Sequence, residues 1–163
     1  MKRYGPHAAL SASIILLDQL TKALIVRTVP FYGSVEVIPG FLDLTRIHNK
    51  GAILGLFNRS EQPWTTVLLL LLNAAALGLI IFYFTKTTEK ERVARLALAM
   101  IVGGALGNVI DRITRGYVVD FVDMHIGKIH WPTYNVADAS ITIGAVLLIA
   151  SVIFRRSHAS DPV

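Results

Sequence analysis

Asp120 and Asp138 are the residues of this chain best suited to do chemistry together. Asp120 closes the run Gly116-Tyr-Val-Val-Asp120, and Asp138 stands at the start of a long apolar run, three residues after Asn135. Two carboxyl groups that share a site cannot both ionise readily, so one keeps its proton. The ionised partner can then take a proton from water while the other protonates or polarises a scissile carbonyl. That is peptide hydrolysis without a metal or a covalent intermediate. The two charges alone also permit a plainer arrangement, in which Asp138 caps a helix and Asp120 is a solvated loop residue.

Two further polar sets lie inside apolar surroundings. Asn108, Asp111 and Arg112 cluster at the end of one apolar run, and helical spacing aims the amide of 108 and the guanidinium of 112 at one region. Arg112 can hold a peptide carbonyl or a lipid head group there, or it can simply snorkel to water. The sequence alone does not choose. Asp18 and Lys22, also four apart, can pair on one helical face, and a structural pair that makes this helix tolerable in lipid is favoured over catalysis. Asp18-Gln-Leu-Thr-Lys22 has a local echo in Asp111-Arg-Ile-Thr-Arg115, too short to establish a repeat.

Other chemistries find less support. His48, His125, His130 and His158 lack metal-ligand spacing, so no metal is expected. Ser34 and Ser60 have no nucleophile-elbow context, no glycine-rich phosphate loop appears, and the chain has no cysteine. No cofactor is expected.

The elements that position these residues are written in the apolar blocks. Of the 163 residues, 53% are hydrophobic, and they are concentrated in runs rather than spread as in a soluble domain. A helix needs about 20 mostly apolar residues to cross a bilayer. The sequence predicts four such helices in one integral membrane domain, over roughly 8–26, 65–85, 93–112 and 136–154. Lys2-Arg3 before the first run resembles a signal-peptide start, but Asp18 interrupts it and no small-x-small site follows, so a retained helix is expected. Helix three carries Gly103-x-x-x-Gly107 plus Gly104, small residues that allow close helix packing. Residues 32–60 hold the outer β element: Ser34 to Ile38 and Phe41 to Ile47 read as two short strands around Pro39-Gly40, followed by an apolar segment from Ala52 to Phe57. The strands can cap the bundle or offer an edge to an extended peptide.

The net charge of +5 is accounted for by membrane topology rather than by nucleic acid. Lys2 and Arg3, then Lys86, Lys90, Arg92 and Arg95, then Arg155 and Arg156 all fall on one side, which the positive-inside rule makes cytoplasmic. Both termini are expected there. Residues 27–64 and 112–135 then face outward, with Trp64, Trp131 and Tyr134 near the outer interface.

Five ordered motifs carry a family resemblance. Asp18-Gln-Leu-Thr-Lys22, Asn49-Lys-Gly-Ala52, Gly103-Gly-Ala-Leu-Gly-Asn-Val-Ile-Asp-Arg112, Gly116-Tyr-Val-Val-Asp-Phe121 and Tyr134-Asn-Val-Ala-Asp138 together resemble the lipoprotein signal peptidases, from first helix to last. Tyr134 in place of phenylalanine and Ile53-Leu54 in place of Ala-Phe are modest departures. The resemblance implies that Asp120 and Asp138 are catalytic, that Asn49, Asn108, Arg112 and Asn135 surround the substrate or support the pair, and that Asp18 and Lys22 form the polar pair of the first helix. It implies a bacterial inner-membrane aspartic endopeptidase that uses no cofactor. Its substrate would be a diacylglyceryl-modified prolipoprotein, cut on the N-terminal side of the lipidated cysteine. Membrane lipid would be its surroundings, with no obligate protein partner. The rival class is a small transporter using Asp18, Asp111 and Asp138 as a proton relay. The gathering of acidic groups toward the outer face favours the hydrolase.

Overall fold

The computed structural model describes residues 4–51 and 63–159. Its helices are α1 (Gly5–Thr28), α2 (Pro63–Lys86), α3 (Arg92–Arg115) and α4 (Val136–Ala159), each of 24 residues. Such a helix rises about 36 Å, more than the hydrocarbon thickness. α1, α3 and the Val136–Phe154 part of α4 are long and apolar enough to cross a membrane, while the described apolar stretch of α2, Leu70–Lys86, is shorter. The polarity of the bundle is the reverse of a soluble one. Leu16, Leu20 and Leu24 of α1 and Val146 and Ile149 of α4 are exposed, whereas Asp18, Lys22, Asn108, Asp111 and Asn135 are buried. Lipid tolerates the first set outside, and the second must find partners inside.

α3 is the central helix, packing on α4, α1 and α2. Its glycines make this possible. A Cβ at Gly104 would stand 2.4 Å from the Ala137 carbonyl oxygen of α4, and one at Gly103 would stand 3.0 Å from the Ser11 carbonyl oxygen of α1. The Ser11 hydroxyl donates to the Ala99 carbonyl at 2.7 Å, a bond that only such close backbones allow. Gly116, in the left-handed region at φ 78°, ends α3 and turns the chain into the sheet.

The sheet comprises β1 (Ser34–Ile38), β2 (Leu42–Asn49), β3 (Val118–Ile126) and β4 (Ile129–His130), antiparallel in that order. It draws strands from the connection between α3 and α4 as well as from the one between α1 and α2, so the β element extends beyond the residues 32–60 expected from the sequence. β3 starts as four consecutive buried residues, Val118 to Phe121, so it lacks the alternation that marks a half-exposed strand. The apolar segment from Ala52 to Phe57 lies outside the described residues. Ile25 and Val29 of α1 pack with Val119 and Phe121 of β3 in a core that ties the sheet to the end of the bundle. At the opposite end, the Tyr4 and Phe84 rings meet 5.8 Å apart and Arg95 stacks over both.

Candidate active site

Three elements converge at the sheet end of the bundle. β2 and β3 pair with Asn49 opposite Val118 and Ile47 opposite Asp120, so Asn49 and Asp120 are diagonal neighbours on one face of the sheet. The Asn49 amide donates to Asp120 Oδ2 at 2.9 Å. From the start of α4, the Asn135 amide donates to Asp120 Oδ1 at 2.7 Å. Both oxygens of Asp120 therefore carry a donor, and the residue is 3% exposed.

Asn135 also organises Asp138. Its side-chain oxygen accepts from the Asp138 N–H at 2.9 Å, and Asp138 Oδ2 accepts from the Asn135 N–H at 3.3 Å. This is a reciprocal capping box, with Asn135 as N-cap and Asp138 as the third helical residue. Asp138 Oδ1 accepts from the Asn108 amide of α3 at 2.7 Å. The plainer role of Asp138 as a cap and its place beside Asp120 thus coexist, whereas Asp120 is far from a solvated loop residue. Asn49, Asp120 and Asp138 line a single cavity of about 690 Å³, walled by Met124, Trp131, Tyr134 and Ile143. A second cavity of about 480 Å³, lined by Tyr4, His7, Ile81 and Phe84, lies at the other end of the bundle, away from the carboxylates.

Burial pushes the Asp120 carboxyl up to about 6; the Asp138 charge acts in the same direction, and the amides of Asn49 and Asn135 oppose them. A carboxyl group in such a place can keep a proton near neutral pH.

Behind the pair lies a network of charged groups. Lys22 Nζ is 2.8 Å from Asp18 and 2.9 Å from Asp111, with all three side chains fully buried. Asp18 Oδ1 accepts from the Ala137 N–H at 3.0 Å, a second cap on α4. Asp111 Oδ2 accepts from the Val119 N–H at 3.2 Å and its other oxygen pairs with Arg115. Gln19 donates to Asp18, Asp111 and the Gly107 carbonyl, and accepts from Arg115. Asp111 therefore belongs to this support, not to the cavity. Gln19 and Arg115 escaped the sequence reading, although the echo between 18–22 and 111–115 marked them. The two similar helix ends are cross-linked to each other. Arg112 Nη1 donates to the Asn108 carbonyl at 3.3 Å, and its Nε is buried with no partner among the described residues. No group of three or more His, Cys, Asp or Glu among the described residues is arranged to hold a metal ion. His125 and His130 instead stack on each other beside Asp43 and Asp123.

Comparison with known proteins gives a consistent result. Residues 10–154 match a family model described as Signal peptidase (SPase) II. A lipoprotein signal peptidase of Nitratidesulfovibrio vulgaris (strain DP4) is 44% identical over 150 residues, covering 92% of this chain and 90% of that protein. A lipoprotein signal peptidase of Burkholderia mallei (strain SAVP1) is 44% identical over 145 residues, covering 89% and 86%. Among solved structures, a bacterial membrane enzyme determined in meso at 2.3 Å resolution superposes with a TM-score of 0.85 at 32% identity, covering 98% of this chain and 94% of the other. A second, at 1.9 Å resolution, gives 0.80 at 33% identity, covering 91% and 92%.

Proposed function

The chain belongs to the signal peptidase II family, and from that premise we propose that Asp120 and Asp138 are the pair with which it cuts. It is an aspartic peptidase, a hydrolase that removes the signal peptide from prolipoproteins. The observation that carries the assignment of the pair is Asn135. One asparagine bonds to both carboxyl groups, through its side-chain amide to Asp120 and through its backbone N–H to Asp138, at the wall of one cavity.

In the reading we favour, Asp120 holds the proton, because it is buried and its carboxyl is pushed up to about 6. Asp138 is the anion, and the Asn108 amide and Asn135 N–H that it accepts suit that state. Asp138 takes a proton from a water molecule as the hydroxyl attacks the scissile carbonyl carbon. The Asp120 proton passes to the carbonyl oxygen. Collapse of the tetrahedral intermediate breaks the C–N bond: one hydroxyl returns its proton to Asp120 as the carbonyl re-forms, and the proton held by Asp138 passes to the amine nitrogen. Arg112, one helical turn from Asn108 on the same face of α3, holds a substrate carbonyl through its planar guanidinium. No cofactor takes part.

The substrate carries a diacylglyceryl group on the cysteine after the cut, and membrane lipid surrounds the enzyme. All four helices cross a bacterial inner membrane, with both termini cytoplasmic and the sheet outside. The Lys/Arg distribution and the position of Asp120 and Asp138 at the end opposite the basic α2–α3 junction support this orientation. Purified protein incubated with lipidated and unlipidated precursor, followed on a gel, tests the substrate. Cleavage of the lipidated form alone, undiminished by a chelator, is expected. Equal cleavage of both would remove the lipid requirement.

A further inference from the structure

Lys22 has a third bond that a structural ion pair does not need. Its ammonium has three hydrogens and no acceptor. Two go to Asp18 and Asp111, and the third goes to Asn108 Oδ1 at 3.1 Å. The other end of the same amide donates to Asp138 Oδ1 at 2.7 Å. An Asn amide can be turned by half a rotation at little cost unless its neighbours forbid it. Here they do. Turned over, Asn108 would set its NH₂ against the Lys22 ammonium and the Asn135 amide, 3.4 Å away, and its oxygen against the Asp138 carboxylate.

We propose that Lys22 is a positioning residue of the reaction, acting through Asn108: its ammonium fixes the amide so that a hydrogen-bond donor always faces Asp138. This rests on the catalytic pair set out above. The chain of bonds crosses three helices. Lys22 is on α1, Asn108 on α3 and Asp138 at the start of α4. Asp18 acts at both ends of it, pairing with Lys22 and capping α4 at Ala137. The first helix thereby sets the state of a base it does not touch. Lys22 also acts at longer range on Asp120, whose ionised form its charge favours.

The test uses the full-length enzyme and lipidated precursor. Lys22→Met alone strands two buried carboxylates, so it is made in an Asp18→Asn background and measured against Asp18→Asn alone. The expected result is normal membrane level, a kcat lower by about tenfold or more, and little change in KM. The pH profile moves to higher pH, because loss of the Lys22 charge raises the Asp120 carboxyl. Lys22→Gln in the same background keeps a donor for Asn108 and recovers part of kcat, which a mere counter-ion would not do. Unchanged kcat and pH profile in Lys22→Met, or Gln no better than Met, overturns the proposal. If the Met protein does not accumulate, the cycle between Lys22→Gln and Asn108→Ala decides. Once Asn108 is alanine, Lys22→Gln costs no further kcat at the pH optimum if it acts through that amide, its charge effect on Asp120 showing only in the pH profile; additive losses in kcat overturn it. Asp120→Asn in the same assay separates the two levels. Activity there sinks the catalytic pair itself, whereas its loss with normal Lys22→Met kinetics sinks only the role of Lys22.

Discussion

Burial sets Asp120 apart from an ordinary loop carboxylate. A folded-state value near 6 against a usual 3.8 means that the folded protein prefers the protonated form. Its contribution to stability is fully present below about pH 4 and is lost as pH rises through about 6, by up to about 3 kcal/mol. The Tm of the wild type should therefore fall between pH 4.5 and 7.5 by more than that of Asp120→Asn, as thermal melts in detergent can read. Parallel curves would mean that Asp120 is ionised throughout. The chemistry of Arg112 turns on its fork. Arg112→Lys keeps the charge but loses the planar donor pair, so turnover should drop by roughly ten- to a hundredfold, the worth of one hydrogen bond to a charged group. Equal kinetics would leave Arg112 a membrane anchor. At this scale the residues were legible by type and order, but their partners were not. Asn135 could be named from its motif, yet its double hold on Asp120 and Asp138 depends on β3 lying beside the start of α4.

Among the elements, the long helices could be read because a mostly apolar run of that length is stable in few places besides a bilayer. The strands could be read only where exposure alternates or a turn intervenes. β1 and β2 flank Pro39-Gly40, whereas β3 is buried on both faces at its start and β4 is two residues long. The glycines of α3 were legible as a small-residue face, and the structure supplies the distance that makes them necessary. A methyl group at Gly104 meets a backbone oxygen of α4, which cannot swing aside as a side chain can. Gly104→Ala should destabilise by about 1–3 kcal/mol and lower activity as well, since the displaced helix carries Asp138. Gly78→Ala in α2, with no atom of the described residues within 4 Å of the new methyl group, should be neutral or stabilising. Melting and cleavage assays on both proteins check the contrast. Similar Tm values would show that α4 has room to move.

For the molecule as a whole, the proposed chemistry requires that the polar interior and the sheet sit at the outer face, with the basic junction between α2 and α3 inside. Reporter fusions after Arg92 and Arg156 should read cytoplasmic, and fusions at Ser34 and Gly127 external. An external signal at Arg92 would put the carboxyl pair on the side away from exported precursors. The charge placement in the sequence is what argues for this arrangement. The cross-linking of α1 and α3 through Lys22, Asp111, Gln19 and Arg115 left only the five-residue echo between 18–22 and 111–115, too short to show which side chains meet. The central claim is that two carboxyl groups, and no other side chain, make and break the bonds. Its most direct test is cleavage of a lipidated precursor by purified Asp120→Asn and Asp138→Asn enzymes, each shown to insert and melt normally. No detectable product is predicted from either variant over a time in which wild type cleaves all the precursor. Substantial turnover by either folded variant would contradict the claim.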